Sequence, residues 1–327
     1  MTSVLSKSLT RPATMDDVET VVDLLNVCAI EDTGKPQFRV DELDADWQRP
    51  GFSMETDTLL VLAPGGNLTG YAVVWDFAPH ERIFVTAVVH PEHRGAGIGA
   101  ALCQWVEERG RQSVAKATDG ARVVLCQEAV SGNELAQALL QQQGYQFARY
   151  SLNMLIEMDE PPPAPVAPKG LVIRPFVRGQ EERTMIQAMR EAFRGHWGYV
   201  ERPFEDEFQD WMHLLDTPDV DPALWFVAVD GDDIAGTSFG YATMAEDPEL
   251  GWIWGMGVRR PWRRRGLALA LLQSCFGALY RCGKPKVGLS MDAQNLSATR
   301  LYEKAGMHVD RQYMVYEREL RPEGRGA

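Results

Sequence analysis

Cysteine is scarce in this chain of 327 residues, and the five present, Cys28, Cys103, Cys126, Cys275 and Cys282, fall into neither paired nor metal-ligand spacing. That excludes a disulfide scaffold and a cysteine-built metal site; small buried hydrophobes are the better reading, and reduced thiols point to the cytoplasm. Long apolar runs are missing too, since no stretch approaches the roughly 20 residues that span a bilayer. The first residues, Met1 to Pro12, are polar and lack a signal-peptide core. Positive charge is in deficit: 33 Lys and Arg against 46 Asp and Glu leave a formal net charge of −13. Long-range repulsion therefore argues against DNA, RNA or an anionic membrane as the main partner.

What the chain does have is a repeat. Arg94-Gly95-Ala96-Gly97-Ile98-Gly99 follows the apolar run 83–89 and opens a helix-like stretch; Arg263-Arg264-Arg265-Gly266-Leu267-Ala268 does the same after 252–258. Both fit Arg-x-x-Gly-x-Gly/Ala. Small residues let a backbone approach a pyrophosphate closely, while the free N–H groups of a new helix attract its charge. Arginine adds a charge-assisted contact. Arg259, Arg260, Arg263, Arg264 and Arg265 crowd around the second loop, which suits a polyanionic small cofactor in an otherwise acidic protein. Elsewhere Arg174-Pro175 answers Arg11-Pro12 after 163 residues, and Asn295 and Gly306 answer Asn133 and Gly144 after 162. Such near-constant offsets mark a duplicated domain, each copy large enough for its own core.

Asp159 to Gly170 contains five prolines and reads as an extended spacer between the copies, giving domains at 1–158 and 171–327. Each copy shows the same order. A short strand (8–12; 171–175) precedes a helix (Asp16 to Ala29; Gln180 to Phe193). Strands follow at 58–62, 70–75 and 83–89, or at 224–229, 234–242 and 251–258. After the loop come its helix, a strand (122–127; 286–292), a further helix and a closing strand. The expected class is α/β, two tandem domains, each a mixed sheet flanked by helices.

At this point both halves resemble the GNAT acetyltransferase superfamily over nearly their whole length. The strand, loop and helix are similar to that superfamily's acetyl-coenzyme A motif. Asn295-Leu296-Ser297-Ala298-Thr299-Arg300-Leu301-Tyr302-Glu303-Lys304-Ala305-Gly306-Met307 resembles its Asn-x-x-Ala-x-x-Leu-Tyr-x-x-x-Gly-Phe segment. The resemblance implies acetyl-CoA as cosubstrate and no metal. It further implies a strand that splays from its neighbour, with Met256, Gly257 and Val258 along the pantetheine arm. Arg263, Arg264, Arg265, Gly266, Leu267 and Ala268 would lie at the pyrophosphate, with Asn295 nearby. Arg94, Gly95, Gly97 and Gly99 are the corresponding residues of the first copy. Tyr302 falls where the superfamily places its general acid, whereas the first copy has Leu140, so catalysis is expected in the second.

Candidates for the base are Asp292 first, then Glu246, Asp247 and Glu249. His196, Trp197, Trp252 and Glu249 are candidates for the acceptor site. The tandem plan is most similar to mycothiol synthase-like proteins, but Trp252 and Ala242 stand where that resemblance implies a substrate-facing glutamate and an acceptor-binding lysine. The expected activity is acetyl transfer to a small-molecule primary amine, by a monomer or homodimer. Mycothiol synthesis proper, a non-catalytic acyl-CoA sensor or scaffold, and peptide N-acetylation are the alternatives.

Overall fold

The computed structural model describes residues 9–218 and 220–324. Ser8 of the first expected strand and the rest of the polar stretch 1–8 lie outside them. The chain forms two compact units, residues 1–150 with 313–327, and residues 151–312.

Unit 1 begins with β1 (Leu9–Arg11), α1 (Val18–Thr33), α2 (Val40–Trp47), α3 (Met54–Asp57), β2 (Thr58–Leu62), β3 (Leu68–Trp75) and β4 (Arg82–Val89). It continues with α4 (Ile98–Ser113), β5 (Val123–Val130), α5 (Glu134–Gln142) and the start of β6 (Gln146–Glu157). Unit 2 carries β7 (Val172–Pro175), α6 (Glu182–Phe193), α7 (Phe204–Leu215), β8 (Trp225–Asp230), β9 (Asp233–Tyr241) and β10 (Leu250–Val258). Then come α8 (Leu267–Arg281), β11 (Lys286–Asp292), α9 (Leu296–Lys304) and the start of β12 (His308–Arg321).

The closing strands are exchanged. In unit 1 the sheet order is β1-β2-β3-β4-β5 followed by β12, which pairs antiparallel with β5 from Tyr313↔Val130 to Arg321↔Val123. In unit 2 it is β7-β8-β9-β10-β11 followed by β6, antiparallel from Asp292↔Ser151 to Lys286↔Glu157. The β4–β5 and β10–β11 pairs are parallel. This corrects the expected boundary: residues 159–170 do not divide the units but run within unit 2. There Pro162 approaches Gly277 of α8, and Lys169 accepts a hydrogen bond from Arg265. A repeat cannot announce which copy its last strand joins, because β5 and β11 offer similar edges.

Strand periodicity of two explains the layers. Leu59, Val61, Ala72 and Val74 meet α4 through Ile98, Leu102 and Val106. The alternate residues Leu60, Tyr71 and Val73 meet α1 and α2 through Val21, Leu25 and Trp47. In unit 2, Gly236 and Gly240 lie against Leu271 and Cys275 of α8. Thr237 and Phe239 face Met189 of α6 and Trp211 of α7. The repeated Arg-Pro has a structural meaning: Arg11 bonds Pro12 O and Asp17, and Arg174 bonds Pro175 O and Glu181, each tying the first strand to the start of the next helix. Four of the five free cysteines are buried; Cys282, at the end of α8, is exposed. Among the described residues, no helix is long and apolar enough to cross a membrane.

Unit 1 also buries a charged cluster. Arg109 Nε donates to Asp57 at 2.7 Å, Nη1 to Ser113 at 2.9 Å and Nη2 to Asp76 at 3.1 Å. Burial opposes ionisation of Asp76, yet hydrogen bonds from Ser113 and His80, with the charge of Arg109, hold its carboxyl below the usual range. Its stabilisation is therefore present at neutral pH and fades as pH falls below the ordinary carboxylate range. Removing one partner strands the others without water. Arg109→Leu is expected to cost about 3–5 kcal/mol, read as a lowered urea midpoint.

Candidate active site

The site begins where a ladder stops. β10 and β11 pair in parallel only from Leu250↔Lys286 to Ile253↔Leu289, although β10 runs on to Val258. On its other edge β10 stays paired with β9 as far as Val258↔Gly236, with a register shift between Ile253 and Gly255 that makes Trp254 the extra residue of a bulge. Met256, Gly257 and Val258 therefore have no ladder partner on the β11 side. Beside them Gly257 is packed so closely that an added Cβ would lie 2.8 Å from Ala192 and 3.1 Å from the Phe193 ring.

The loop between Val258 and α8 is shaped by two positive φ angles, 60° at Arg264 and 88° at Gly266. Gly95 and Gly97 adopt 81° and 84° in the first copy. Arginine pays no favourable price for this conformation; an L-residue is strained there by about 1–2 kcal/mol, which makes Arg264 the unusual member of the set. The first helical bond recorded at this terminus runs from Ala270 N to Gly266 O, so the N–H groups of Leu267, Ala268 and Leu269 have no carbonyl of their own helix to bond.

The arginines divide by task. Arg259 pairs with Glu191 at 2.7 Å and Asp233 at 3.3 Å and covers the Trp262 ring. Arg263 is engaged by backbone: its Nε donates to Val258 O and its Nη2 to Ala192 O, both at 2.8 Å, which fixes the loop against α6. Arg264 is exposed and, among the described residues, has no acidic partner.

Beyond the gap, Asp292 ends β11 and turns the chain, its Oδ1 accepting from Gln294 N and its carbonyl from Asn295 N, each at 2.9 Å. Asn295 then caps α9, accepting from Ala298 N at 3.2 Å and from Ser297 Oγ at 2.9 Å. Tyr302 lies on the buried face of α9, 8% exposed. Its hydroxyl has no hydrogen-bond partner among the described residues, and burial pushes its pKa up to about 12. His196, on the turn after α6, stacks edge-on against Phe193 with centroids 4.9 Å apart. Burial and then the charge of Arg263 lower its pKa, against a smaller opposing effect of Asp292, so it is neutral at pH 7.

Other candidates fall elsewhere. Glu249 is bound to Lys286 at 3.1 Å, at the closed end of the β10–β11 pair rather than in the gap. Asp247 shares Lys286, and Glu246 pairs with Arg311 at 3.0 Å. Trp252 belongs to the paired segment and covers Gly288, where an added Cβ would come 2.2 Å from its ring. Trp197 is 39% exposed on the same turn as His196. The bulge at Trp254 and the left-handed Arg264 escaped sequence reasoning; the only available signals were Gly95 opposite Arg264 and the longer second copy.

The acetyltransferase (GNAT) family profile matches residues 18–145 and 184–307, and the chain belongs to that family. It is similar to the mycothiol acetyltransferase of Streptomyces scabiei, 32% identical over 265 residues that cover 80% of this chain and 78% of that one. The enzyme of that name from Streptomyces coelicolor is 29% identical, with 80% and 79% covered. Among solved structures, a GCN5-related N-acetyltransferase from Sphaerobacter thermophilus is 36% identical with a TM-score of 0.80 and 98% of each chain covered. A tandem GNAT protein from the clavulanic acid biosynthesis pathway shares the fold at 16% identity and a TM-score of 0.75, with 96% and 99% covered.

A hydroxyl that bonds nothing stabilises nothing. Tyr302→Phe is expected to change unfolding free energy by less than about 0.5 kcal/mol, because no partner is orphaned. A loss of 2 kcal/mol or more, on the order of a broken buried hydrogen bond, would show that the phenol has a structural partner.

Proposed function

We propose that unit 2 transfers an acetyl group from acetyl-CoA to a primary amine of a small molecule, by direct attack in the gap between β10 and β11. The observation that carries this reading is Tyr302, a buried phenol without a protein partner, in the copy whose splayed strand also bulges. Unit 1 has Leu140 in that position and a β3–β4 pairing without a shift.

The residues fit the coenzyme on three counts. The free edge of Met256 to Val258 suits an amide-bearing arm, which can add to a sheet edge as a strand does. The N–H groups from Arg264 to Leu269, at the start of a 15-residue helix, suit a diphosphate. The amide nitrogen of Asn295 has no partner among the described residues, which leaves it for the arm. When bound, acetyl-CoA supplies an activated acyl thioester whose sulfur departs as the amine adds.

Tyr302 donates to that sulfur. With its pKa near 12 it keeps its proton throughout the physiological range, so it remains a donor. Backbone N–H groups freed by the Trp254 bulge stabilise charge on the acyl oxygen. Asp292, directly or through water, accepts the proton of the incoming ammonium, and neutral His196 and Trp197 border the acceptor. Arg263 acts by fixing the loop. A small acceptor is supported by the relatives named as mycothiol acetyltransferases; Trp252 and Ala242, apolar where charge is implied in those enzymes, point to a less polar acceptor here.

The test is thiol release from acetyl-CoA across a panel of amines. Tyr302→Phe is expected to lower kcat by about 100-fold or more, with coenzyme affinity unchanged. Since the raised pKa keeps the phenol protonated, kcat should climb as the amine loses its proton and show no alkaline fall below about pH 12 from this group. Full activity in the variant would overturn the assignment.

A further inference from the structure

In unit 1 the same gap is bridged by the protein's own side chains. β4 and β5 pair only from Arg82↔Val124 to Phe84↔Cys126, while β4 runs on to Val89, so they diverge as β10 and β11 do. Arg94 stands on the loop after β4, and Asn133 caps the helix after β5. Asp32, at the end of α1, bonds both: Arg94 Nη1 donates to Oδ1 at 3.1 Å and Asn133 Nδ2 to Oδ2 at 2.9 Å. A residue bonded to the segments that follow two diverging strands links them across the mouth of the opening. The exposed carbonyl of Val89 is also taken, by Cys28 Sγ at 3.3 Å and Arg94 Nε at 3.4 Å. Leu139 of α5 lies over the loop, 2.7 Å from where a Cβ on Gly99 would stand.

The buried positions of α1 and α6 correspond at a constant offset of 164, with Val21, Leu24 and Cys28 answering Met185, Ala188 and Ala192. At the same offset the sequence counterpart of Asp32 is His196, which lies beyond the end of α6 after Gly195, whose φ is 86°. A neutral imidazole cannot make the carboxylate bridge. Arg263 bonds the strand-end carbonyl of Val258 as Arg94 bonds that of Val89, but its Nη2 donates to Ala192 O rather than to a carboxylate, and the Asn295 amide nitrogen is left unpartnered among the described residues.

We infer that Asp32 is the latch that denies acyl-CoA to unit 1, so that the chain takes one coenzyme, in unit 2. This rests on the reading of unit 2 given above. Asp32 acts twice: it occupies the amide of Asn133, whose counterpart on Asn295 is left for the arm, and, held beside the loop by Arg94, it sets a negative charge against an incoming diphosphate.

Calorimetric titration with coenzyme A should give one equivalent for the wild-type chain, and amide exchange should slow at 263–270 but not at 94–101. Asp32→Asn removes the charge and Asp32→His copies unit 2; either should add a second equivalent with new protection at 94–101. Two equivalents in the wild type, or protection at 94–101 without substitution, would overturn the latch. So would variants that keep the wild-type melting temperature and still bind one equivalent. Failure of the unit 2 reading looks different: no protection at 263–270 in the wild type, with Asp32→Asn still gaining a site at 94–101.

Discussion

The molecule is organised around a pair of parallel strands that part company. Backbone N–H and C=O groups must find partners, and a strand that leaves its ladder exposes a row of them. In unit 2 the row is Met256 to Val258, its last carbonyl taken by Arg263, next to a helix start whose N–H groups have no carbonyl of their own helix to bond. Everything else serves to keep this edge open and rigid. Arg263 clamps the loop to Val258 and Ala192, Phe193 and Ala192 close over Gly257, and Arg259 anchors the turn through Glu191. The strain at Arg264 is tolerated because these contacts over-determine the loop.

Unit 1 satisfies the same requirement internally. Its edge carbonyl at Val89 and its loop arginine are served by Cys28 and Asp32, and its sheet lacks the bulge. One backbone plan thus supports an opening bridged by Asp32 and an opening without such a bridge. The difference lies in a few positions of matching register: Asp32 and His196, Val130 and Asp292, Leu140 and Tyr302. Stability elsewhere in unit 1 comes from the buried Arg109 cluster, whose counterpart 169 residues later is Ala278, an apolar contact of α8.

Much of this was legible from the residues. Strand alternation and the duplicated Arg-x-x-Gly loop placed the strands in chain order, α4 and α8, and the Asn295 segment placed Tyr302 on its helix. The exchange of closing strands was not legible, because hydrogen bonding between strand backbones carries no residue code to distinguish two similar edges. Nor were the charge partners. Glu249 and Asp247 looked free in sequence and are held by Lys286, 37 and 39 residues away. The role of Arg263 was hidden for a similar reason, since its acceptors are carbonyl oxygens, which every residue possesses. The bulge at Trp254 turns on one residue of register between β9 and β10, below what periodicity resolves over nine positions.

The most direct test is a crystal structure of the chain with acetyl-CoA. Antiparallel-sheet-like bonds from the pantetheine amides to Met256–Val258, the diphosphate on the N–H groups of Arg264–Leu269, and the Tyr302 hydroxyl within hydrogen-bonding reach of the sulfur are the expected result. A coenzyme bound away from the β10 edge, or a sulfur out of reach of that hydroxyl, would contradict it.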